Sequence, residues 1–336
     1  MKHNNISIFI PHYGCPNMCS FCNQKSISGK QNSVDIFEID ETCSKAFNYI
    51  NDKSNTEIAF FGGSFTAIDE DYMILLLETV QKYVGKNKFK GIRISTRPDC
   101  INENILDILK KYQVTSIELG AQSMVEEVLI SNDRGHSAED VEKSALLIKS
   151  YGFELGLQMM VGLYKSKIEY EYETMNKIIS LKPSTVRIYP VVVLKNTKLE
   201  TLYLSGEYNL FEFDNVVDLC ANMLKSFHEN NIKVIRCGIH ASDLVSSDSI
   251  AGFYHPAFRE IVESKIYQNE IDKKIKILLK EKKNTDQIKI FVSKNCISKA
   301  IGHKKSNAEY FSKFKIGNIL FKEDETLELF KCKLEV

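Results

Sequence analysis

The sequence predicts an α/β protein built on a parallel sheet, and three observations on its 336 residues support this. Six short apolar runs recur along the first 194 residues, at 7–11, 57–63, 91–96, 116–122, 154–162 and 185–194. Each is near-continuous in apolar content, the pattern of parallel strands buried on both faces. Stretches with helical spacing lie between them, at 36–51, 69–84, 105–112, 138–151 and 168–180. Strict alternation of strand and helix implies crossover connections and a parallel sheet, whereas an α+β chain would segregate the two. With 43% hydrophobic and 26% charged residues, the chain has a globular composition and room for one large domain and one small one.

The first strand opens into I-F-I-P-H-Y-G-C-P-N-M-C-S-F-C at 8–22, where Cys15, Cys19 and Cys22 follow a C-x3-C-x2-C spacing. Three thiolates this close can hold three irons of a [4Fe–4S] cluster and leave the fourth iron without a protein ligand. Zinc is the alternative. It wants four ligands, usually two spaced pairs; no second pair follows here, although His12 would complete a Cys3His set. The other cysteines, at 43, 100, 220, 237, 296 and 332, stand apart in sequence and read as small core residues. Nine cysteines, an odd number, suit a reducing compartment better than a disulfide framework. The N-terminus leads straight into the first strand and leaves no room for a signal peptide. No run approaches the ~18 apolar residues of a spanning helix. The expectation is therefore a cytoplasmic protein without membrane contact.

The later strands end in F-F-G-G-S-F-T (60–66), I-S-T-R-P-D (94–99), E-L-G-A-Q-S (118–123) and R-I-Y-P-V-V-V-L-K-N-T (187–197), with N-D-R-G-H (132–136) after the fourth. A helix over 211–230 and a strand over 233–236 follow, then R-C-G-I-H (236–240) and A-G-F-Y-H-P-A-F (251–258) in an irregular loop. Long loops in compact domains are often functional. His240 and His255 in this loop suit proton transfer or structural hydrogen bonding alike.

The tail differs in charge. Residues 271–336 hold 16 Lys against 9 acidic residues, while the preceding 270 residues hold 28 basic and 35 acidic ones. Such asymmetry fits a polyanion-binding segment or a solvated basic face. A Lys-rich linker helix is expected over 271–281. The order after it is strand, short helix, the basic turn Gly302, His303, Lys304, Lys305, second helix and second strand.

Taken together, C-x3-C-x-aromatic-C, with Phe21 as the aromatic, and the motifs after it resemble the radical S-adenosylmethionine (SAM) superfamily. The set, spanning roughly 5–260, is most similar to the radical domain of the Elongator catalytic subunit and its bacterial relatives. The resemblance implies a partial (β/α)6 TIM-like barrel with an extension over 1–268, whose site is built at the carboxyl ends of the strands. It implies a [4Fe–4S] cluster on Cys15, Cys19 and Cys22 with SAM on the open iron. One electron, from a donor such as flavodoxin or ferredoxin, then cleaves SAM to a 5′-deoxyadenosyl radical. The cofactor does the hard step, and the barrel orients the reactants and excludes competing reactions.

By the same resemblance, Gly62, Gly63 and Ser64 border the methionine ammonium, although many relatives carry Glu where Ser64 stands. Arg134 is placed for the SAM carboxylate, Gln122 and Gln158 for the ribose hydroxyls and Phe21 for the adenine. Ser95 and Arg97 face SAM or substrate. No motif identifies a catalytic residue for the substrate step.

The tail, 269–336, resembles a small α+β KH-like domain, whose G-x-x-G loop clamps a nucleic-acid backbone. Here the second glycine is replaced by Lys305, which leaves contact with phosphate as the expected role of Gly302, His303, Lys304 and Lys305. An RNA substrate, tRNA or rRNA, is therefore expected. Coproporphyrinogen oxidase and its haem-chaperone relatives share the tight Cys spacing and form the alternative. A tetrapyrrole's carboxylates would need several Arg, and this chain has few outside the motifs. The third reading, an RNA-binding protein with a structural cluster, has the intact SAM motifs against it. About 75 residues after Glu260 would not hold the acetyltransferase domain of the Elongator subunit, so acetyl transfer is not expected.

Overall fold

A computed structural model describes residues 4–10, 15, 18–23, 35–239, 243–281, 286–314 and 316–336. The chain divides into two compact units, one of residues 1–210 with 232–254, the other of 211–231 with 255–336.

The first unit is a sheet of parallel strands: β1 (Asn4–Phe9), β2 (Thr56–Phe61), β3 (Gly91–Thr96), β4 (Val114–Gln122), β5 (Glu154–Val161) and β6 (Thr185–Pro190). A seventh parallel strand, Lys233–Cys237, pairs with β6 beyond them. The six expected strands are thus present in sequential order, and the strand expected over 233–236 joins the same sheet and lengthens the open half-barrel by one. Helices Ile36–Tyr49, Glu70–Val80, Glu103–Lys111, Ala138–Ser150 and Ile168–Leu181 supply the crossovers. Four of them start where a short polar side chain satisfies an otherwise unpaired backbone N–H. Asp35 accepts from Phe37, Asp69 from Tyr72 and Asn102 from Ile105, and Ser137 with Asp140 forms a reciprocal capping box.

The strands are buried almost throughout, but not by apolar residues on both faces. One face carries Ile58, Phe60, Ile92, Ile94, Ile117, Leu119, Leu155, Leu157, Val186 and Ile188, all buried. The opposite face carries Glu57, Arg93, Ser95, Ser116, Glu118, Gln158 and Arg187, joined by hydrogen bonds across strands. Side chains in a strand alternate between faces, so apolar and charged positions interleave. On the charged face the charges neutralise one another, which lets Glu57, Arg93 and Glu118 be buried. Gly156 makes room for this: a Cβ there would sit 2.8 Å from Glu118 Cγ.

Three further departures from the expected elements concern connections. The run expected at 185–194 breaks after Pro190. Its second part, β7 (Val192–Leu194), pairs antiparallel with Ser249–Gly252, inside the segment expected to be irregular. Short helices Glu126–Ser131 and Lys198–Leu204 occupy motif loops. The expected linker helix is the end of one longer helix, Phe258–Lys280.

In the second unit that helix joins Phe213–Glu229, and the tail follows in the expected order. Strand Gln287–Val292, helix Ile297–Ile301, the 3-10 turn His303–Lys305, helix Ser306–Ser312 and strand Asn318–Glu323 succeed one another. A last strand, Cys332–Glu335, was not expected. It pairs antiparallel with Gln287–Val292, whose other edge pairs parallel with Asn318–Glu323. Ile288, Ile290, Val292, Phe311 and Phe330 form the buried side. Among the described residues, no helix is long and apolar enough to cross a membrane.

Candidate functional site

The cysteine loop is tied to the carboxyl ends of the strands by backbone and amide bonds. Ser20 N donates to the carbonyl of Asn132 (3.1 Å) and Ser20 Oγ to its Oδ1 (2.7 Å). Asn132 Nδ2 in turn donates to the carbonyls of Val128 (2.8 Å) and Tyr164 (2.9 Å). Leu199 N donates to the Ser20 carbonyl (2.7 Å), Asn23 Nδ2 to the Lys195 carbonyl (2.9 Å) and Cys22 N to the Cys19 carbonyl (3.1 Å). Asn132 is buried and doubly committed, and N-D-R-G-H gives it no signal of its own: in that motif Arg134 is the residue that suggests a ligand contact.

Arg134 lies under the loop at 6% exposure. Its Nη1 donates to Cys19 Sγ at 2.9 Å and its Nη2 to the Gly120 carbonyl at 2.5 Å, with His136 Nε2 at 3.1 Å. Phe21 stacks its ring 5.9 Å from the guanidinium carbon. Arg97 Nη2 donates to the Arg134 carbonyl (2.6 Å), and Arg97 makes a two-pronged pair with Asp99 at 2.9 and 3.0 Å. Burial and the Arg134 charge push His136 down to about 4, so it is neutral at physiological pH. Burial and the neighbouring Cys19 push the Cys15 thiol up, against the pull of Arg97 and Arg134.

The second and third strand ends meet through hydroxyls. Ser64 Oγ and Thr96 Oγ1 are 2.8 Å apart, and Thr66 Oγ1 and Thr96 Oγ1 2.6 Å. Arg97 N donates to Ser64 Oγ (3.2 Å), and Thr66 Oγ1 to the Cys100 carbonyl (2.7 Å). Gly62 (φ +86°) turns the chain where any Cβ would stand 2.4 Å from the Ile10 carbonyl oxygen, and Gly63 (φ +45°) follows it. Cys100, expected to be an isolated core residue, is a half-buried thiol beside Ser64 and Arg97, within electrostatic range of Cys15. Sequence distance hid it; its place in T-R-P-D-C was the available signal.

The charged face lies on the same strands. Glu118 accepts from Arg93 Nη1 (3.1 Å), Arg187 Nε (2.6 Å) and Nη2 (3.0 Å), and Gln158 Nε2 (3.0 Å). Gln158 Nε2 also reaches Ser95 Oγ at 3.3 Å. Arg93 continues to Glu57 at 2.7 Å, and Arg187 lies 5.0 Å over the Phe61 ring. Burial alone would raise Glu118; Arg187 and Arg93 outweigh it and hold its carboxyl below the usual range. Nearby, buried Glu171 accepts from Gly162 N and Ser166 Oγ, both at 2.7 Å, and burial pushes it up to about 7.

Of the expected residues, Phe21, Ser64, Arg97 and Arg134 converge at the cysteine loop. Ser95 and Gln158 belong to the Glu118 network, and Gln122 sits at the end of β4 with φ +63°. His12 and His240 lie outside the described residues. His255, in the second unit, accepts from Ala257 N (3.0 Å) and stacks edge-on against His303 at 5.5 Å. At the basic turn, Gly302 (φ +91°), Lys304 (φ +50°) and Lys305 (φ +66°) are all left-handed, and both lysines are exposed. Two successive non-glycine residues in that region are costly, a kind of strain that clusters at functional sites.

The three loop cysteines are free thiols, and among the described residues no three His, Cys, Asp or Glu side chains already stand in metal-binding positions. Their surroundings nevertheless suit an anionic cluster with a polar ligand. Arg97 Nη1, Arg134 Nε and Gln122 Oε1 are buried without hydrogen-bond partners among the described residues. Buried polar atoms normally have partners, and unpaired ones call for an explanation. Among the described residues the contacts of Arg134 include no carboxylate, and a buried cation without a counter-charge is costly. Three thiolates with an open iron, and a SAM carrying both charge and hydroxyls, would meet these needs.

Comparison with known proteins agrees. The family model described as the Radical SAM superfamily matches residues 9–178, and the Radical_SAM C-terminal domain model matches residues 183–268. The chain is 28% identical over 183 residues to the tRNA uridine(34) acetyltransferase of Methanocaldococcus infernus, covering 48% of this chain and 34% of that one. It is 30% identical over 189 residues to Elongator complex protein 3 of Homo sapiens, covering 50% and 34% respectively. The chain thus spans about a third of the length of these relatives. Among solved structures, the archaeal Methanocaldococcus infernus Elp3 with an N-terminal deletion shares the fold, with a TM-score of 0.63 and 20% identity. That match covers 82% of this chain and 64% of the other.

Proposed function

This chain belongs to the radical SAM superfamily, and on that premise we propose that it modifies an RNA, a tRNA or rRNA, by reductive cleavage of SAM. The observation that carries the SAM reading is the pair of buried arginines beneath the cysteine loop, with nitrogens unpartnered and, on Arg134, no carboxylate among the described residues. Cys15, Cys19 and Cys22 would ligate three irons of the [4Fe–4S] cluster, leaving the fourth for SAM. When bound, cluster and SAM supply one electron and an organic radical able to abstract hydrogen from an unactivated carbon.

The chain's own residues hold and orient. Gly62 and Gly63 bring bare backbone to the loop, where a ligand ammonium can donate to carbonyls. Gln122 Oε1 and Arg97 Nη1 offer a buried acceptor and a buried donor. Gln158 is turned by Glu118: its amide nitrogen is engaged, so its oxygen is left to accept from a ligand hydroxyl. The Asn132 bonds fix the loop so that it need not reorganise as substrate arrives.

The RNA reading draws on two supports: similarity to the radical portion of a tRNA uridine(34) acetyltransferase, and the exposed Lys304 and Lys305 on a strained turn of KH-like element order. A one-electron carrier of the flavodoxin or ferredoxin kind would supply the electron, in the cytoplasm. The tetrapyrrole alternative loses ground because Arg93 and Arg187 are committed to Glu57 and Glu118, which leaves few arginines for a substrate's carboxylates. The test is filter binding of tRNA and rRNA fragments across a salt series. Lys304→Glu with Lys305→Glu should weaken binding and reduce the magnitude of the log–log salt slope by roughly 0.7–0.9 per lost phosphate contact. SAM cleavage without substrate should be unchanged. Equal binding by parent and double variant at low salt would remove the turn from the RNA reading.

A further inference from the structure

We propose that Arg134 tunes the redox potential of the cluster: its guanidinium donates a hydrogen bond to Cys19 Sγ and so favours the reduced state. This rests on the reading of Cys19 as a cluster ligand. The sequence resemblance suggests another role for Arg134, a two-pronged grip on the SAM carboxylate. The geometry points elsewhere, since both terminal nitrogens are already engaged, Nη1 with the thiol sulfur at 2.9 Å and Nη2 with the Gly120 carbonyl at 2.5 Å. Among the described residues, that leaves Nε for a ligand.

The guanidinium is held from several sides. Gly120 fixes one prong and Phe21 covers a face. Arg97, itself locked by Asp99, donates to the Arg134 carbonyl and fixes the backbone. Of the groups touching the guanidinium in these contacts, the Cys19 sulfur is the one that can carry a negative charge, since His136 is held neutral and the others are a carbonyl and a ring. Cys19 is buried as well, at 8% exposure, so water screens the pair little.

Reduction adds one electron to the cluster, and the added charge is shared with the thiolate sulfurs. No bond is made or broken at Arg134, and the electron comes from a one-electron reductant. A charged N–H donor on a ligating sulfur stabilises the more negative state. Hydrogen bonds to sulfur, and partners behind the ligands generally, are established levers on such potentials.

The test compares parent, Arg134→Gln and Arg134→Lys, each reconstituted anaerobically and matched for iron content and thermal unfolding. Midpoint potentials are read by EPR-monitored titration with SAM absent. At a fixed potential near the midpoint, Arg134→Gln should hold a reduced-to-oxidised ratio about tenfold lower than the parent, a midpoint ~59 mV more negative. Arg134→Lys should fall between, keeping the charge but not the fork. An unmoved midpoint in fully loaded Arg134→Gln overturns the proposal. A second measurement needs no variant: the parent, labelled with 15N-arginine and reduced without SAM, should show 15N coupling to the cluster by pulsed EPR. Its absence overturns the proposal even where Arg134→Gln does not fold. A parent that takes up no iron overturns the cluster reading itself, whereas an unmoved midpoint in loaded protein removes this inference alone.

Discussion

Glu118→Ala is the most informative single change to the barrel. The Glu118 carboxylate is 1% exposed and accepts four hydrogen bonds, from Arg93, twice from Arg187 and from Gln158. Arg93 keeps its bond to Glu57 at 2.7 Å after the substitution, but Arg187 loses both carboxylate bonds. Its guanidinium then stays buried beside the Phe61 ring at 5.0 Å and Tyr189, a neutral phenol that supplies no counter-charge. Removing one partner of a buried ion pair costs about 3–5 kcal/mol, chiefly because the other charge is left unpaired. The same logic predicts strong coupling. Glu118→Ala with Arg187→Ala should cost clearly less than the sum of the single changes, by a coupling energy of roughly 1–3 kcal/mol. Urea unfolding of the four proteins at pH 7 measures this. A loss below about 1 kcal/mol for Glu118→Ala, or strict additivity with Arg187→Ala, would refute the claim that paired charges hold the inner face of the sheet.

Two other predictions concern stability. Glu171, near 4.5 when unfolded and raised to about 7 by burial in the fold, favours the folded state fully below pH 4.5, and that contribution is lost as pH rises through about 7. The gap corresponds to ~3 kcal/mol. Glu171→Gln, which keeps an acceptor for Gly162 and Ser166, should therefore gain on the parent by up to that amount between pH 5 and pH 8; a difference constant with pH would contradict this. Gly62→Ala should destabilise by about 1–3 kcal/mol, since a Cβ at φ +86° would meet the Ile10 oxygen at 2.4 Å. Near-neutral unfolding of Gly62→Ala would show that the turn is looser than described.

What could be read in the sequence was what is local. Apolar runs and helical spacing gave the strand–helix alternation, and the cysteine spacing and strand-end motifs marked the site loop. Even the tail's order of elements could be read, because each turns on punctuation such as Gly302. What stayed hidden depends on partners far along the chain. Arg93 in G-I-R-I-S-T and Glu118 in S-I-E-L-G pair across 25 positions, and Glu118 and Arg187 across 69. None of the three reveals by itself that it faces inward. Asn132, Cys100 and Glu171 act through contacts that no motif spacing encodes. The split after Pro190 escaped notice because the apolar pattern continues through Val192–Leu194 while its pairing partner, Ser249–Gly252, lies more than 50 residues later.

The central claim, that three cysteines hold a cluster with an open iron for SAM, is tested most directly by anaerobic reconstitution followed by reduction with dithionite in the presence of SAM. The parent should bind about four irons per chain and release 5′-deoxyadenosine. The variant with Cys15→Ala, Cys19→Ala and Cys22→Ala together should do neither. Full iron content in that triple variant, or a fully loaded parent that leaves SAM intact after reduction, would contradict the account.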